Sequence, residues 1–249
     1  MPHPFIDALK NNDLDAVKAL TKTDLHNHSI LGARVERVEA WKACPIPRPP
    51  DKMNGVRGMM DYAGSTLYPY LHSQEGFEFT ADAAIQDAIE DGVSLLETSV
   101  DVKFAFLYSD RVHGLHQFLS SLLDRYQDCI TVHVEMGFSR GDSEERLDMA
   151  YQCIETAFFT GIDLYGDQTL IKPYIDLAQA AKQVGMSVKA HVGEHDHAEL
   201  IRPTVEAYEL DGIQHGIRAV ESPELPAFLE ADTRFIVTGP AAFDRLCNF

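Results

Sequence analysis

The feature that most constrains the fold is a regular alternation of helical and strand patterns that begins at Thr80. Segments with apolar residues three or four positions apart predict helices, and the short apolar segments between them predict strands. The predicted helices are 81–91, 112–126, 143–159, 171–184, 197–208 and 223–230, and the predicted strands are 92–100, 129–137, 161–167, 186–194, 212–216 and 233–239. Because each helix is long enough for a crossover, the pattern predicts parallel βα units.

A further strand with two histidines precedes this series. Residues 23–33 alternate apolar and polar side chains and run into a glycine, which predicts a strand that ends near Gly32. Since side chains at positions i and i+2 of a strand lie on one face, His26 and His28 are able to bind one metal ion together. Nearby histidines are also common on surfaces and in hydrogen-bonded cores, so the pair alone leaves both interpretations open.

Ionisable residues recur at or just past the carboxyl ends of the predicted strands. They are His26, His28, Asp167, His191, Glu194 and His215. A (β/α)₈ barrel builds its active site at that end, and an open doubly wound sheet also binds ligands there. No glycine-rich phosphate-binding sequence follows the first strand, which weighs against the dinucleotide-binding open sheet. The sequence therefore predicts an α/β fold, a (β/α)₈ TIM barrel, and the recurrence favours a metal site.

The charge of the chain limits its partners. Asp and Glu number 39 against 21 Lys and Arg, a formal net charge of -18. Such a surface repels phosphate backbones and anionic membranes, so neither nucleic acid nor a membrane is expected as a partner. A neutral nucleoside or base is compatible with this charge.

Length and composition favour a single domain over residues 1–249, in which residues 1–20 form an N-terminal helical segment. The four cysteines lack CxxC spacing, which indicates reduced thiols. Neither a signal sequence nor an apolar run of about eighteen residues is present. These features predict a cytoplasmic protein, and they leave the oligomeric state undetermined.

A long stretch from Cys44 to Gly64 separates the first strand from the regular series. Its prolines and later glycines predict an irregular segment. An insertion directly after a ligand-bearing strand is a natural place for a substrate lid, and a surface loop without a function is equally consistent with the sequence.

Four motifs in this order resemble the adenosine deaminase family of metal-dependent amidohydrolases. They are His26-Asn27-His28 followed by Gly32-Ala33, then Asp163-Leu164-Tyr165-Gly166-Asp167, then His191-Val192-Gly193-Glu194, and finally Gln214-His215-Gly216. Each motif is weak alone, whereas the ordered set is fairly specific. The resemblance covers nearly the whole chain from Thr23 onward.

The resemblance implies a (β/α)₈ barrel with one divalent metal ion, most often zinc, held by His26, His28 and His191. Three histidines leave a coordination position for water, which the ion activates at neutral pH. In the family the resulting hydroxide attacks C6 of an aminopurine nucleoside, and ammonia leaves. By the same match Glu194 protonates N1 of the purine and His215 orients or deprotonates the water.

The resemblance also implies that the backbone N–H of Gly166 bonds to the purine ring. For Asp167 the sequence leaves two roles open, holding its loop or contacting the substrate, and favours the first. Since Glu194 lies three residues from a proposed ligand, we also expect desolvation in the cavity to raise its pKa toward that of a working acid.

Two departures from the family pattern qualify this prediction. Ile30 occupies a position where the family commonly has an aspartate that contacts the ribose, and an apolar side chain cannot accept that hydrogen bond. The paired aspartates of the family's eighth strand are also absent; the tail carries only Asp244. We therefore expect an eighth βα unit to be missing from this chain, or to be supplied elsewhere.

The sequence leaves two alternative functions open. One is hydrolysis of an amide or ester, and the other is purine binding without catalysis.

Overall fold

The computed structural model describes residues 4–53, 55–231 and 236–238. Its strands form one parallel sheet in which each strand pairs with its neighbours in the chain. They are β1 Lys22–His28, β2 Val93–Asp101, β3 Thr131–Arg140, β4 Gly161–Gly166, β5 Ser187–Val192, β6 Gly212–His215 and β7 Ile236–Thr238. The predicted parallel βα order is confirmed. The remainder of the predicted strand 233–239 lies outside the described residues.

Helices connect these strands and also precede the first of them. They are α1 Pro4–Lys10, α2 Leu14–Ala19, α3 Val35–Lys42, α4 Gly55–Tyr62, α5 Tyr68–Leu71, α6 Gln74–Glu90, α7 Val112–Tyr126, α8 Glu144–Glu155, α9 Ile175–Gln183, α10 Ile201–Tyr208 and α11 Glu224–Ala231. The N-terminal helical prediction is met by α1 and α2. Within the described part of the chain, no helix has both the length and the apolar character needed to cross a bilayer.

The sheet curls until distant strands meet across its interior. The ring of His26 on β1 lies 5.0 Å from the ring of His215 on β6. Lys189 on β5 forms an ion pair with Glu97 on β2. Contacts of this kind require a barrel rather than an open sheet, as predicted. The tail that carries Asp244 lies outside the described residues, so the expectation that an eighth βα unit is missing stays a prediction.

Strand β4 shows how the chain separates its two faces. Ile162 and Leu164 are fully buried in the apolar core, which also contains Leu177 of α9. Asp163 lies between them in sequence and is equally buried, yet it points to the opposite face. Because strand side chains alternate, the same strand packs against helices on one face and supplies a carboxylate to the barrel interior on the other.

The segment after α3 is more regular than predicted. Residues 45–53 are irregular, but α4 follows and continues through a π-helical turn at Ala63–Leu67 into α5. Ala63 and Leu71 are buried against the core, and Gly64 has no neighbour near the position of an added Cβ. The predicted irregularity was therefore wrong for this half of the stretch, which is helical despite its glycines.

Candidate metal centre and active site

The histidines singled out in the sequence converge at the carboxyl ends of three strands. His26 and His28 come from β1, His191 from β5 and His215 from β6. The ring of His26 lies 4.9 Å from that of His28 and 4.7 Å from that of His191, while His191 lies 4.7 Å from His215. The ladder between β1 and β2 is irregular from Asp24 to Asn27, but both β1 histidines still face the same interior point. The structure thus brings together the residues predicted to surround a metal.

One group of side chains is suited to hold a cation. It consists of His26, His28, Asp163 and His191, whose candidate ligand atoms all lie within 4.8 Å of one another. Nitrogen and carboxylate ligands in a set of four match the preference of a divalent ion such as zinc. Asp163 was not assigned to the site from the sequence, although its strand was part of the motif that suggested the family.

The buried polar atoms of this group support the fit. Neither carboxylate oxygen of Asp163 has a hydrogen-bond partner, and the same holds for Nδ1 of His26 and Nε2 of His191. Asp163 has no solvent exposure at all. A buried carboxylate without hydrogen bonds is unfavourable unless a cation compensates it, so the residues present fit a metal ion.

The pKa values favour a charged carboxylate at Asp163 beside neutral imidazoles at His26 and His28. Burial lowers the pKa of His26 to about 3, against the attraction of Asp163, and it also lowers the pKa of His28. Burial alone would raise the pKa of Asp163, but attraction to the surrounding histidines holds it well below its usual value. Neutral imidazole is the form that binds metal ions.

His191 differs because a carboxylate lies near each ring nitrogen. Its Nε2 is 3.3 Å from Asp163 Oδ1, and its Nδ1 is 3.4 Å from Glu194 Oε2. Burial acts to lower the pKa of His191, but the two carboxylates raise it to about 9. Metal binding releases protons from such ligands, so this ring is able to exchange a proton for a cation.

Glu194 is the centre of a second, overlapping group with His191 and His215, which could also hold a metal ion by its spacing. Its Oε2 lies 3.5 Å from His215 Nε2 and 2.9 Å from His195 Nε2. Burial acts to raise the pKa of Glu194, but the combined effect of the neighbouring histidines is larger and lowers the pKa below its usual value. The expected rise in pKa was therefore wrong, because sequence reasoning did not include these three imidazoles.

The backbone around His215 is held in an uncommon conformation. His215 has a φ of 71° and the following Gly216 has a φ of 62°. Burial, followed by repulsion from His191, lowers the pKa of His215 to about 4. Positive φ at a residue other than glycine costs free energy and often marks a functional site, so the turn aims this ring at Glu194 and His191.

Gly166 and Asp167 lie at the mouth of the barrel, where β4 ends. Gly166 has a φ of 84°, and an added Cβ would come within 2.7 Å of Ser139 Oγ, so a larger residue would strain this turn. Asp167 Oδ1 accepts hydrogen bonds from the backbone N and from Oγ1 of Thr169. Asp167 thus holds its own loop, as predicted. The expected contact of Gly166 with a purine stays a prediction.

Sequence reasoning missed two residues that support the site. Arg140, at the end of β3, is almost fully buried and donates from Nη2 to the backbone carbonyl of His191 at 2.6 Å and from Nε to that of Tyr165 at 3.2 Å. His195 is exposed, and its Nε2 lies 2.9 Å from Glu194 Oε2. Arg140 lies three residues beyond the predicted strand 129–137, so no local signal marked it, whereas adjacency to Glu194 was the signal for His195.

Comparisons with known proteins agree with this geometry. No protein-family model matches the chain. A putative adenosine/adenine deaminase of Treponema pallidum is 32% identical over 219 residues, covering 87% of this chain and 73% of that protein. Adenosine deaminase of Plasmodium knowlesi is 26% identical over 163 residues, covering 61% of this chain and 44% of its own length.

Solved structures share the fold at lower sequence identity. Adenine deaminase from Arthrobacter aurescens has a TM-score of 0.67 at 19% identity, covering 84% of this chain and 68% of that structure. An amidohydrolase from Burkholderia ambifaria with bound Zn has a TM-score of 0.64 at 18% identity, covering 86% of this chain and 64% of that structure. Arabidopsis ADAL complexed with GMP has a TM-score of 0.65 at 15% identity, covering 92% of this chain and 74% of that structure. These structures share the fold, and the 32% identity to the Treponema protein shows that the chain belongs to the adenosine/adenine deaminase family of metal-dependent amidohydrolases, which are hydrolytic enzymes with a TIM-barrel fold.

Proposed function

We propose that the chain is a metal-dependent hydrolytic deaminase of adenine, adenosine or a closely related aminopurine. The observation that carries this proposal is the fully buried carboxylate of Asp163, which accepts no hydrogen bond within the geometric limits, among His26, His28 and His191, with Glu194 and His215 adjoining. The names of the relatives support deaminase chemistry, and water and the aminopurine would give the oxopurine and ammonia.

His26, His28, Asp163 and His191 are proposed to hold one divalent ion, and zinc is the preferred candidate because a structural relative contains it. When bound, such an ion lowers the pKa of a water molecule and so makes it a nucleophile near neutral pH. The protein contributes the arrangement of ligands and a buried carboxylate that balances the charge of the cation.

Glu194 is proposed to carry the proton that reaches the ring nitrogen next to the reacting carbon. His215 is proposed to hold the attacking water and accept its proton. The two side chains are 3.5 Å apart and share His191 as a neighbour, so a proton can pass between positions within one small cavity. Proton transfer by positioned groups of this type accelerates reactions about 10²- to 10⁴-fold.

The substrate is proposed to be a neutral aminopurine base or nucleoside rather than a polymer. Gly166 is proposed to contact the purine ring through its backbone N–H. Ile30 is buried and packs with apolar residues of α3 and α5, so it offers no acceptor for a sugar hydroxyl. ADAL binds GMP, which makes a nucleotide a further member of the panel to be tested.

The cellular setting is proposed to be cytoplasmic and reducing. Cys44, Cys129 and Cys153 all carry free thiols within the described residues. The net charge of -18 supports small-molecule partners rather than nucleic acid or anionic membranes.

The test is ammonia release from adenine, adenosine, AMP and a simple amide by protein whose metal content has been measured. We expect release from at least one aminopurine and none from the amide. Glu194→Gln should keep the metal and lower kcat by about 10²-fold or more, because the proton donor is lost. Glu199→Gln, an exposed carboxylate nearby, is the matched control and should retain full activity. Full activity of Glu194→Gln would contradict the assigned proton transfer.

A further inference from the structure

Tyr165 is an aromatic residue at the metal centre to which the proposed mechanism gives no role. Its ring centroid lies 5.8 Å from that of His28 and 5.9 Å from that of His191. The ring planes cross at 85° and 57°, so Tyr165 is stacked on neither histidine. It therefore lies beside two of the proposed ligands without stacking on either of them.

The position of Tyr165 on β4 places it above the metal centre. Asp163 and Tyr165 are two residues apart and so share the interior face of the strand. Asp163 is completely buried, whereas Tyr165 is only partly buried and is followed by the exposed Gly166. A ligand that enters from the carboxyl end of the barrel would meet the Tyr165 ring before it reached Asp163.

Asp101, at the end of β2, fixes the orientation of this ring. The Oη of Tyr165 donates a hydrogen bond to Oδ2 of Asp101. Oδ1 of Asp101 accepts from the backbone N of Lys103 at 2.7 Å, and the Nζ of Lys103 lies 3.2 Å from Oδ2. Asp101 is buried. A carboxylate with both oxygens engaged is a rigid anchor, so the ring cannot swing freely.

Glycine on the intervening strand leaves room for this arrangement. Gly137 of β3 pairs in register with Asp101 on one side and with Asp163 on the other. An added Cβ at Gly137 would lie 2.7 Å from Ser99 Oγ and 3.2 Å from Asp101 Cα. Because β3 contributes no side chain here, Tyr165 can reach from β4 to the carboxylate on β2.

We propose that the Tyr165 ring, anchored by Asp101, forms one wall of the purine site and determines its specificity for planar heterocycles. This rests on the proposed function, since it takes a purine as the ligand. Stacking of a base on an aromatic side chain strengthens binding by about 5- to 150-fold. The wall would act on binding of the heterocycle more than on the chemical step.

The experiment compares metal-loaded wild type with Tyr165→Leu and Tyr165→Phe. KM and kcat are measured by ammonia release from adenine and adenosine, and the Kd of unsubstituted purine, which has no amino group to lose, is measured by calorimetry. Tyr165→Leu should raise KM and Kd by about 10-fold and change kcat by less than about 3-fold. Tyr165→Phe keeps the ring but loses its anchor to Asp101, and it should raise Kd by about 3-fold.

Tyr126→Phe is the matched control, because it also removes a tyrosine–aspartate hydrogen bond, to Asp82, away from the site. It should leave KM and Kd unchanged. If Tyr165→Leu does not fold, Asp101→Asn replaces it, and the weaker anchor should raise Kd by about 3-fold; an unchanged Kd would count against the wall.

Two results would overturn the inference. One is an unchanged KM and Kd in Tyr165→Leu. The other is a loss of metal and of kcat with an unchanged Kd, which would show that the ring only supports the ligand histidines. Wild type that binds purine without releasing ammonia would contradict the deaminase proposal, while the Kd series would still decide the role of Tyr165. Wild type that binds no purine would overturn both.

Discussion

Oδ1 of Asp163 lies 3.3 Å from Nε2 of His191 in the interior of the barrel, and neither atom forms a hydrogen bond. The two residues come from neighbouring strands, β4 and β5, and both are buried. The imidazoles of His26 and His28, whose pKa values are lowered by burial, approach the same point from β1. A bound cation would satisfy both of these buried atoms, so this pair is the strongest indication of a metal site.

Asp163→Asn should weaken metal binding by about 10- to 100-fold, because the substitution keeps the shape of the side chain but removes its charge. The measurement is metal content after dialysis against a graded chelator, read by plasma mass spectrometry. Asp167→Asn makes the same chemical change on the exposed loop beyond β4 and should retain wild-type metal content. Equal retention by Asp163→Asn would exclude Asp163 from the metal centre.

Arg140→Met should destabilise the fold by about 3 kcal/mol, because the buried guanidinium donates to the backbone carbonyls of His191 and Tyr165. Methionine fills much of the space but leaves both oxygens without this donor. Urea unfolding monitored by circular dichroism measures the change. Arg146→Met, which breaks a more exposed ion pair with Asp142, should cost less than about 1 kcal/mol. Similar losses in the two variants would contradict a special role for Arg140.

Glu135 should give the stability of the protein a distinct pH dependence. Burial raises the pKa of Glu135 to about 7 from 4.5, even though Lys189 Nζ lies 2.7 Å away. Because the folded-state pKa is the higher one, the stabilisation from protonated Glu135 is fully present below pH 4.5 and is lost as the pH rises through 7.

Glu135→Gln removes this titration. The stability of wild type relative to the variant should fall by an amount on the order of 3 kcal/mol between about pH 4.5 and 7.5, as measured by urea unfolding across that range. Glu144→Gln, at an exposed position on α8, should follow the wild-type profile. Parallel profiles for wild type and Glu135→Gln would show that the burial of Glu135 does not act in this way.

The cysteines should differ in reactivity. Cys153 of α8 is completely buried, and burial raises the pKa of its thiol to about 12, whereas Cys129 is exposed. The thiolate is the reactive form, so iodoacetamide at pH 8 should modify Cys129 in the native protein and reach Cys153 only after denaturation. Peptide mass spectrometry of native and urea-treated samples reads both sites. Equal alkylation of the two in native protein would contradict the burial of Cys153.

Ile30 shows how far the sequence alone could go on substrate choice. Its apolar side chain indicated that a sugar hydroxyl finds no acceptor at this position, and the structure adds that Ile30 packs into the apolar core. Replacement by aspartate would therefore bury a charge rather than restore a ligand contact. The effect of this substitution depends on the packing around Ile30, which involves residues distant in sequence.

The sequence by itself predicted the βα order, because strand and helix periodicity are local properties. Ionisable residues at the predicted strand ends favoured a barrel, and the resemblance to the deaminase family implied the roles of His26, His28, His191, Glu194 and His215. Only the tertiary structure showed that Asp163 lies among these histidines and that Arg140 donates hydrogen bonds to the backbone of β4 and β5. It also showed that the imidazoles around Glu194 lower its pKa. The reason is physical: burial and electrostatics depend on which side chains converge when the sheet closes on itself, and that convergence joins residues more than a hundred positions apart.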